Sequence, residues 1–546
     1  MESSHGSARQ SCARSHDRSG WHRPLLDIAC ACVLAYATST SAADRPRPVA
    51  ITAQGEVRGS FENGIAVFKG IPYGASTGGA NRFQPPRPPA SWKGAREAVS
   101  YGPSCPQLDP PPAGHAFGPS SEAAGASEDC LVLNVWTPGA ADGRKRPVMV
   151  WIHGGGFSLL SGSSPTNDGA RLARKGDVVL ITLNHRLNLF GYLYLAELGG
   201  ARYADSGNLG QLDLIAALQW IRDNVAAFGG DPGNVTIFGE SGGGSKAGTL
   251  LAMPSARGLF HRAALQSGFG LTALTPQAAM KMTRSILDAL KLRPDEVDKL
   301  QRIPVARLLD ALGQVTHGSP FGIGPVVDGR SLTRHPFTPD ASEVSRNIPV
   351  LVGYNATETT FLFPPPGSFD LDWPALARQL APALPGMNVT TVIEGWRRRH
   401  PQATPSDLYF SITTENTMGL NASTLAIRKA AQAAAPVFLY RLEWQTPVDG
   451  GRMRSPHSLD VPLVFDNVAA ADRLIGSGAG QAQQVADAMS DAWLAFARYG
   501  TPNAPGLPAW PAFDAQNRAT MIFDVVSRAV TDPLHDERLL LPQAPP

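Results

Sequence analysis

A serine held between glycines is the residue in this chain best placed to do chemistry. Ser241 lies in Gly239-Glu240-Ser241-Gly242-Gly243, directly after the β-branched and aromatic run 235–238, which makes the pattern G-x-S-x-G with a strand before it. If that strand turns sharply into a helix, side chains at Gly239 or Gly243 would collide with neighbouring backbone, and small residues leave the serine exposed. The pattern predicts a nucleophile elbow; for an isolated pentapeptide, a plain tight turn is the alternative.

A serine hydroxyl needs a histidine base, and the base needs an acid that orients it. In an elbow architecture the chain order is serine, acid, histidine. The histidines after the serine are His261, His317, His335, His400, His457 and His535. His457 follows the strand-like run 436–441 and precedes an apolar segment, so it is the predicted base. His400 continues a run of arginines and is interpreted as a solvated residue.

Glu358 is the predicted acid. It comes just after the short apolar run 349–353 and lies between the serine and the histidine in chain order. Asp328 fits less well because it begins a Gly-Arg turn, and Asp460 because it follows His457 by only three residues.

A second glycine-rich loop follows another buried strand. His153-Gly154-Gly155-Gly156-Phe157 comes after the continuous apolar run 148–152, and such glycines allow backbone N–H groups to point into a cavity, as a developing oxyanion requires. A flexible turn is the alternative. Four apolar residues after this loop and after the acid are predicted to line the substrate pocket: Leu159, Leu160, Phe361 and Phe363.

The elements around these loops alternate between strand and helix. In order, the patterns predict a buried strand at 177–183, a helix at 210–228, the elbow strand and a helix at 247–252. This succession predicts an α/β fold with a mostly parallel sheet. Further predicted elements are an antiparallel edge at 49–52, 57–59 and 65–73, and helical stretches at 274–312 and 373–399.

Composition limits the class of protein. With 546 residues, 43% hydrophobic and 17% charged, the chain can bury a large core, and residues 44–546 are predicted to form one domain. The formal charge of +2 indicates neither a nucleic-acid partner nor an anionic membrane surface. No apolar run after the first 43 residues is long enough to span a membrane.

Residues 1–43 have the outline of a secretory signal peptide. Four arginines precede an apolar segment at 28–37, and small residues follow as far as Ala43. Cleavage near Ala43 would make the protein secreted or periplasmic, and the alternatives are a misplaced start codon or a retained leader. Of the five cysteines, Cys105 and Cys130 would then remain; they are expected to pair in an oxidising compartment, the alternative being two buried thiols.

Together, the motifs at 128–136, 153–157, 229–245 and 266–268 resemble the type-B carboxylesterase family, which includes cholinesterases and bacterial p-nitrobenzyl esterases. The resemblance covers nearly all of the chain after the leader. It implies an α/β-hydrolase fold, a large mostly parallel central sheet flanked by helices, with helical insertions over the active site. The implied site residues are the triad Ser241, Glu358 and His457, the oxyanion-hole glycines Gly155, Gly156 and Gly242, the neighbouring Glu240 and Ser267, and a Cys105–Cys130 disulfide.

The chain departs from the family pattern at several positions. Gly242 stands where the family usually has alanine, the acid reads Thr357-Glu358-Thr359 where Asp-Glu-Gly is common, and Pro456 precedes the histidine. No tryptophan lies between Cys105 and Cys130, so choline esters are not the expected substrates.

The apolar residues predicted to line the pocket favour small uncharged or aromatic esters as substrates. The resemblance implies a serine carboxylic-ester hydrolase that acts through an acyl-enzyme. It implies no metal and no organic cofactor, and the expected partner is a small-molecule ester. A lipase, a carbamate or amide hydrolase, or a detoxifying esterase for polycarboxylate esters would use the same triad. A non-catalytic cholinesterase-like binding module is the alternative from another class.

Overall fold

The computed structural model describes residues 46–109, 125–319, 321–362 and 364–542. The predicted signal peptide at residues 1–43 lies outside them. From Arg47 onward, the described residues form one compact unit.

The strands of the described residues form one large sheet and one small sheet. In chain order they are β1 (Val49–Thr52), β2 (Gly55–Arg58), β3 (Ser60–Glu62), β4 (Ile65–Pro72), β5 (Ala95–Glu97), β6 (Val132–Thr137), β7 (Arg146–Ile152), β8 (Val179–Leu183), β9 (Gly230–Glu240), β10 (Arg262–Gln266), β11 (Val350–Asn355), β12 (Val437–Leu442), β13 (Thr520–Phe523) and β14 (Arg528–Val530). The large sheet has eleven strands in the order β14-β13-β12-β11-β10-β9-β7-β8-β6-β4-β3. Neighbouring strands from β13 to β8 are parallel. The pairings at both edges are antiparallel.

Helices cover both faces of this sheet. They are α1 (Ala170–Gly176), α2 (Asn188–Tyr192), α3 (Ala196–Gly199), α4 (Leu209–Asn224), α5 (Gly242–Leu250), α6 (Pro276–Ala289), α7 (Val305–Thr316), α8 (Trp373–Leu380), α9 (Val389–Arg399), α10 (Pro405–Thr414), α11 (Leu420–Ala430), α12 (Asp460–Val464), α13 (Asp472–Ile475), α14 (Ala479–Tyr499) and α15 (His535–Arg538). Along β7, Val148 and Val150 pack in one core cluster with α4 and α5, whereas Met149 and Trp151 pack in another with α1 and α14. Burial on both faces explains why the central strands are continuous apolar runs.

The predicted α/β architecture is confirmed, and the structure corrects several of its details. The strands β1 and β2 are not part of the antiparallel edge; they pair with β5 in a separate three-stranded sheet. The stretch 274–312 divides into α6 and α7, because Pro294 and Pro304 begin new turns and cannot continue a helix. The helix after the elbow begins at Gly242, not at residue 247. Helices α6 and α7 lie between β10 and β11 in the chain, and α8 to α11 between β11 and β12.

Candidate active site

Ser241 lies between the end of β9 and the start of α5, and its backbone is strained. Its φ of 55° and ψ of −124° are values that only glycine adopts readily, and holding them costs about 1–3 kcal/mol. The surrounding backbone imposes this geometry: a Cβ on Gly243 would lie 2.0 Å from the oxygen of Ile152, and one on Gly239 would lie 2.6 Å from it. The strand-to-helix turn therefore leaves room only for glycine at positions 239 and 243, two residues before and two residues after the serine.

Glu358 and His457 meet although they are 99 residues apart in the chain. The carboxylate follows β11, the imidazole lies in the loop between β12 and α12, and Nδ1 of His457 is 2.5 Å from Oε2 of Glu358. Both side chains are buried. The other carboxylate oxygen accepts hydrogen bonds from the Ser267 hydroxyl at 2.5 Å and from the Asn355 N–H at 2.7 Å. These bonds fix the carboxylate that orients the imidazole.

A second carboxylate, that of Glu240, lies on the side of the imidazole opposite Glu358. Oε1 of Glu240 is 3.1 Å from Nε2 of His457, and it also accepts a hydrogen bond of 2.5 Å from the Ser458 hydroxyl. Nothing in the sequence marks Ser458 as part of the site. Asp460, the rival acid, is turned elsewhere: its Oδ2 accepts hydrogen bonds from the hydroxyl of Tyr440 at 2.7 Å and from Nε2 of Gln266 at 3.0 Å.

The buried charges shift the pKa values of the imidazole and of its neighbour. Burial opposes the charged form of His457, but Glu240 and Glu358 outweigh that effect and raise its pKa to about 9. Burial raises the pKa of Glu240 to about 8, while the nearby imidazole opposes this rise. The two groups thus compete for one proton at the place where a general base would act.

The glycine loop 153–156 packs against the elbow. Gly155 and Gly156 have φ values of 77° and 58°, and the Gly155 carbonyl accepts hydrogen bonds from the N–H groups of Ser158 and Leu159 at 3.1 and 3.0 Å. A Cβ on Gly242 would lie 2.0 Å from the oxygen of Gly156. Alanine, the usual family residue at position 242, would therefore need the loop to move. The contact brings the predicted oxyanion-hole glycines of both loops to one place.

A cavity of about 590 Å³ opens beside Ser241. Its larger lining residues are Phe157, Phe269, Leu271, Phe321, Ile323, Leu362 and Met418. Within the described part of the chain, no charged side chain lines it. Gly156 and Gly242 are at its wall together with the serine.

The cavity differs from the predicted pocket. Leu159 is buried and Leu160 half-buried, and neither belongs to the lining. Phe361 also lies outside the lining, with its ring centroid 6.5 Å from that of His457. Phe363 lies outside the described residues. Proximity in sequence was only a partial guide. Phe157 beside the glycine loop and Leu362 after the acid do line the cavity, whereas the rest of the wall comes from segments far apart in the chain.

Cys105 and Cys130 form a disulfide, as the cysteine count predicts. Within residues 46–109, 125–319, 321–362 and 364–542, no helix has the length and apolar character needed to cross a membrane. The same residues hold no group of three or more His, Cys, Asp or Glu side chains arranged to bind a metal ion.

Comparisons with known proteins place the chain in a family. The model of the carboxylesterase family matches residues 46–539. The para-nitrobenzyl esterase of Bacillus subtilis is 34% identical over 496 residues, which cover 90% of this chain and 97% of the esterase. The phenmedipham hydrolase of Pseudarthrobacter oxydans is 33% identical over 501 residues, covering 87% and 95%. The crystal structure of the Geobacillus stearothermophilus carboxylesterase EST55 at pH 6.2 superimposes with a TM-score of 0.80 at 41% identity, and the match covers 91% of this chain and all of that one. The chain is a member of the carboxylesterase family, with the α/β-hydrolase fold and the serine ester hydrolase activity of that family.

Proposed function

We propose that this esterase uses Ser241 as nucleophile, His457 as general base and Glu358 as the acid that orients the base. One observation carries the assignment: the buried contact of 2.5 Å between the imidazole and Glu358, on loops that follow neighbouring parallel strands. The strained backbone of Ser241 and its place at the cavity wall support it. A histidine oriented by a buried carboxylate is what activation of a serine hydroxyl requires.

In the proposed reaction, Nε2 of His457 takes the Ser241 proton as the oxygen attacks the ester carbonyl. The N–H groups of Gly155, Gly156 and Gly242 hold the oxyanion, and the loss of one such donor typically costs about 3 kcal/mol of transition-state stabilisation. The imidazolium then protonates the leaving alcohol, which completes the acyl-enzyme. A water activated by the same imidazole releases the acid.

The proposed substrates are small uncharged or aromatic esters. The cavity presents aromatic and aliphatic side chains and no charge within the described residues, so an anionic acyl group would lose its hydration there without gaining a partner. Polycarboxylate esters are therefore disfavoured. The disulfide supports the proposal that the protein is secreted or periplasmic, since such bonds persist in oxidising compartments.

Hydrolysis of p-nitrophenyl acetate and butyrate by the purified full chain tests the function, with Ser241→Ala measured in parallel. We expect kcat/KM to fall by about 10⁴-fold or more in the variant, because the remaining groups cannot replace a nucleophile. The wild type should also release a burst of p-nitrophenol that matches the enzyme concentration. A folded wild type without turnover, or turnover that persists in Ser241→Ala, would overturn the assignment.

The substrate proposal has its own test. p-Nitrophenyl hemisuccinate has the chain of the butyrate with a carboxylate at its end. Because that carboxylate also attacks its own ester, each enzymatic rate is corrected for spontaneous hydrolysis. We expect kcat/KM for the butyrate to exceed that for the hemisuccinate by about tenfold or more. A preference for the hemisuccinate would contradict an uncharged pocket and would favour a polycarboxylate esterase.

A further inference from the structure

A buried lysine lies in the helix that follows the nucleophile. Lys246 is in α5, five residues after Ser241, and its side chain has no exposed surface. Lysines are almost never fully buried unless their ammonium has partners. Its Nζ donates hydrogen bonds to the main-chain carbonyls of His153 at 2.9 Å and Gly154 at 3.4 Å. Among the described residues it forms hydrogen bonds with these carbonyls and with no carboxylate.

The two carbonyls belong to the glycine loop proposed as the oxyanion hole. In a trans peptide the C=O and the following N–H point in opposite directions within one rigid plane. Drawing the Gly154 carbonyl toward Lys246 therefore turns the Gly155 N–H away from the lysine. The next peptide plane is fixed separately, because the Gly155 carbonyl accepts hydrogen bonds from Ser158 and Leu159.

Two buried histidines next to Lys246 also hold the glycine loop in place. Nδ1 of His153 is 3.1 Å from the oxygen of Gly154, and its ring stacks on that of His185 with centroids 4.7 Å apart. Burial and the charge of Lys246 lower the pKa of both imidazoles, so they stay neutral and His153 acts as a donor to Gly154. Burial lowers the pKa of Lys246 to about 7, against the opposing effect of Glu240. Both the ammonium and the neutral amine keep N–H donors for the two carbonyls.

We propose that Lys246 is a positioning residue that holds loop 153–156 in the orientation needed to stabilise the oxyanion. The lysine touches neither substrate nor reacting atoms and acts through the Gly154–Gly155 peptide. This inference rests on the proposed function, in which Ser241 attacks the ester. It assigns a role in the reaction to a residue outside the triad and outside the oxyanion-hole glycines.

The chain offers a matched control in Lys429, a second buried lysine. Its Nζ donates to two successive main-chain carbonyls, those of Ser345 at 2.7 Å and Arg346 at 2.9 Å, and also to the side chain of Gln432 at 2.8 Å. Burial lowers its pKa to about 8. It lies in α11, and these three hydrogen-bond partners are outside the proposed site. Lys246→Met and Lys429→Met thus remove the same kind of buried donor, and only the first touches the glycine loop.

The test compares both variants on p-nitrophenyl butyrate, with Ser241→Ala as reference. We expect Lys246→Met to lower kcat by about 10- to 100-fold with little change in KM, because a misplaced donor weakens mainly the transition state. Lys429→Met should keep kcat within about twofold of the wild type. An alkyl trifluoromethyl ketone, which adds to the serine and places an oxyanion in the same hole, should bind Lys246→Met more weakly by the factor lost in kcat/KM.

Lys246→Gln keeps an N–H₂ donor without the charge and serves if the methionine variant does not fold. If both Lys246 variants fold, Lys246→Gln should lose less kcat and less inhibitor affinity than Lys246→Met. If only Lys246→Gln can be purified, its losses should still exceed those of Lys429→Met. The role of Lys246 would be overturned, with the proposed function intact, by either of two results. One is a wild-type kcat and ketone affinity in the Lys246 variants; the other is losses of the same size in Lys429→Met. A wild type without turnover that depends on Ser241 would instead overturn the proposed function, and the inference with it.

Discussion

Glu240→Gln is the substitution that separates the two carboxylates beside the base. The imidazole of His457 lies between Glu358 at Nδ1 and Glu240 at Nε2, at distances of 2.5 and 3.1 Å. Both carboxylates stabilise the imidazolium, yet Nε2 must be unprotonated to accept the Ser241 proton. Activity therefore rises as pH rises through the pKa of the histidine. Glutamine keeps the shape and the acceptor for the Ser458 hydroxyl, and removes only the charge.

The size of the effect follows from the pKa of the base. Against burial, two carboxylates raise that pKa from 6.5 to about 9. Because burial opposes the rise, the carboxylates together contribute more than the net change. Losing one of them should therefore lower the pKa by at least about one unit. The acidic limb of the pH profile should thus move to lower pH by at least about one unit in Glu240→Gln.

The assay is kcat/KM for p-nitrophenyl butyrate between about pH 6 and about pH 10, corrected for spontaneous hydrolysis. Glu537→Gln is the matched control, since Oε1 of that buried carboxylate lies 2.9 Å from Nε2 of His400, away from the site. Its profile should coincide with that of the wild type. An acidic limb in Glu240→Gln that stays in place or moves to higher pH would refute the electrostatic reasoning.

Two predictions concern stability. Replacing Cys105 and Cys130 together by alanine opens a loop with a sequence separation of 25 residues. In urea titrations the free energy of unfolding should fall by about 3.5 kcal/mol, and a fall below about 1 kcal/mol would contradict loop-closure reasoning. Arg186→Met should lower that free energy by about 3–5 kcal/mol, because it leaves the buried Asp213 carboxylate, 2.6 Å from the guanidinium, without its charge partner. Adding Asp213→Leu to Arg186→Met should recover part of the loss, and no recovery would argue against an uncompensated charge as the cause.

The sequence predicts best those features that a short run of residues marks. The elbow needs glycine at 239 and 243 because a Cβ at either position would collide with backbone that lies next to it in the fold. The five residues 239–243 are enough to recognise this pattern. Apolar runs such as 148–152 predict strands buried on both faces, and the structure has them at the centre of the sheet. Helix ends were predicted less well, since prolines within 274–312 divide one apolar pattern into two helices.

Tertiary structure alone decided which side chains meet. Chain order pointed to Glu358 and His457, but their contact exists because β11 and β12 are parallel neighbours and the loops after them emerge at the same edge of the sheet. The cavity wall joins residues from loops, from α5 and from positions 418 and 421 around the start of α11, so position along the chain revealed only part of it. The role inferred for Lys246 depends on a contact with carbonyls 93 and 92 residues earlier in the chain. A glycine pattern and an apolar run can be recognised in a few successive residues, whereas these contacts are set by strand register and packing, which no short stretch of sequence contains.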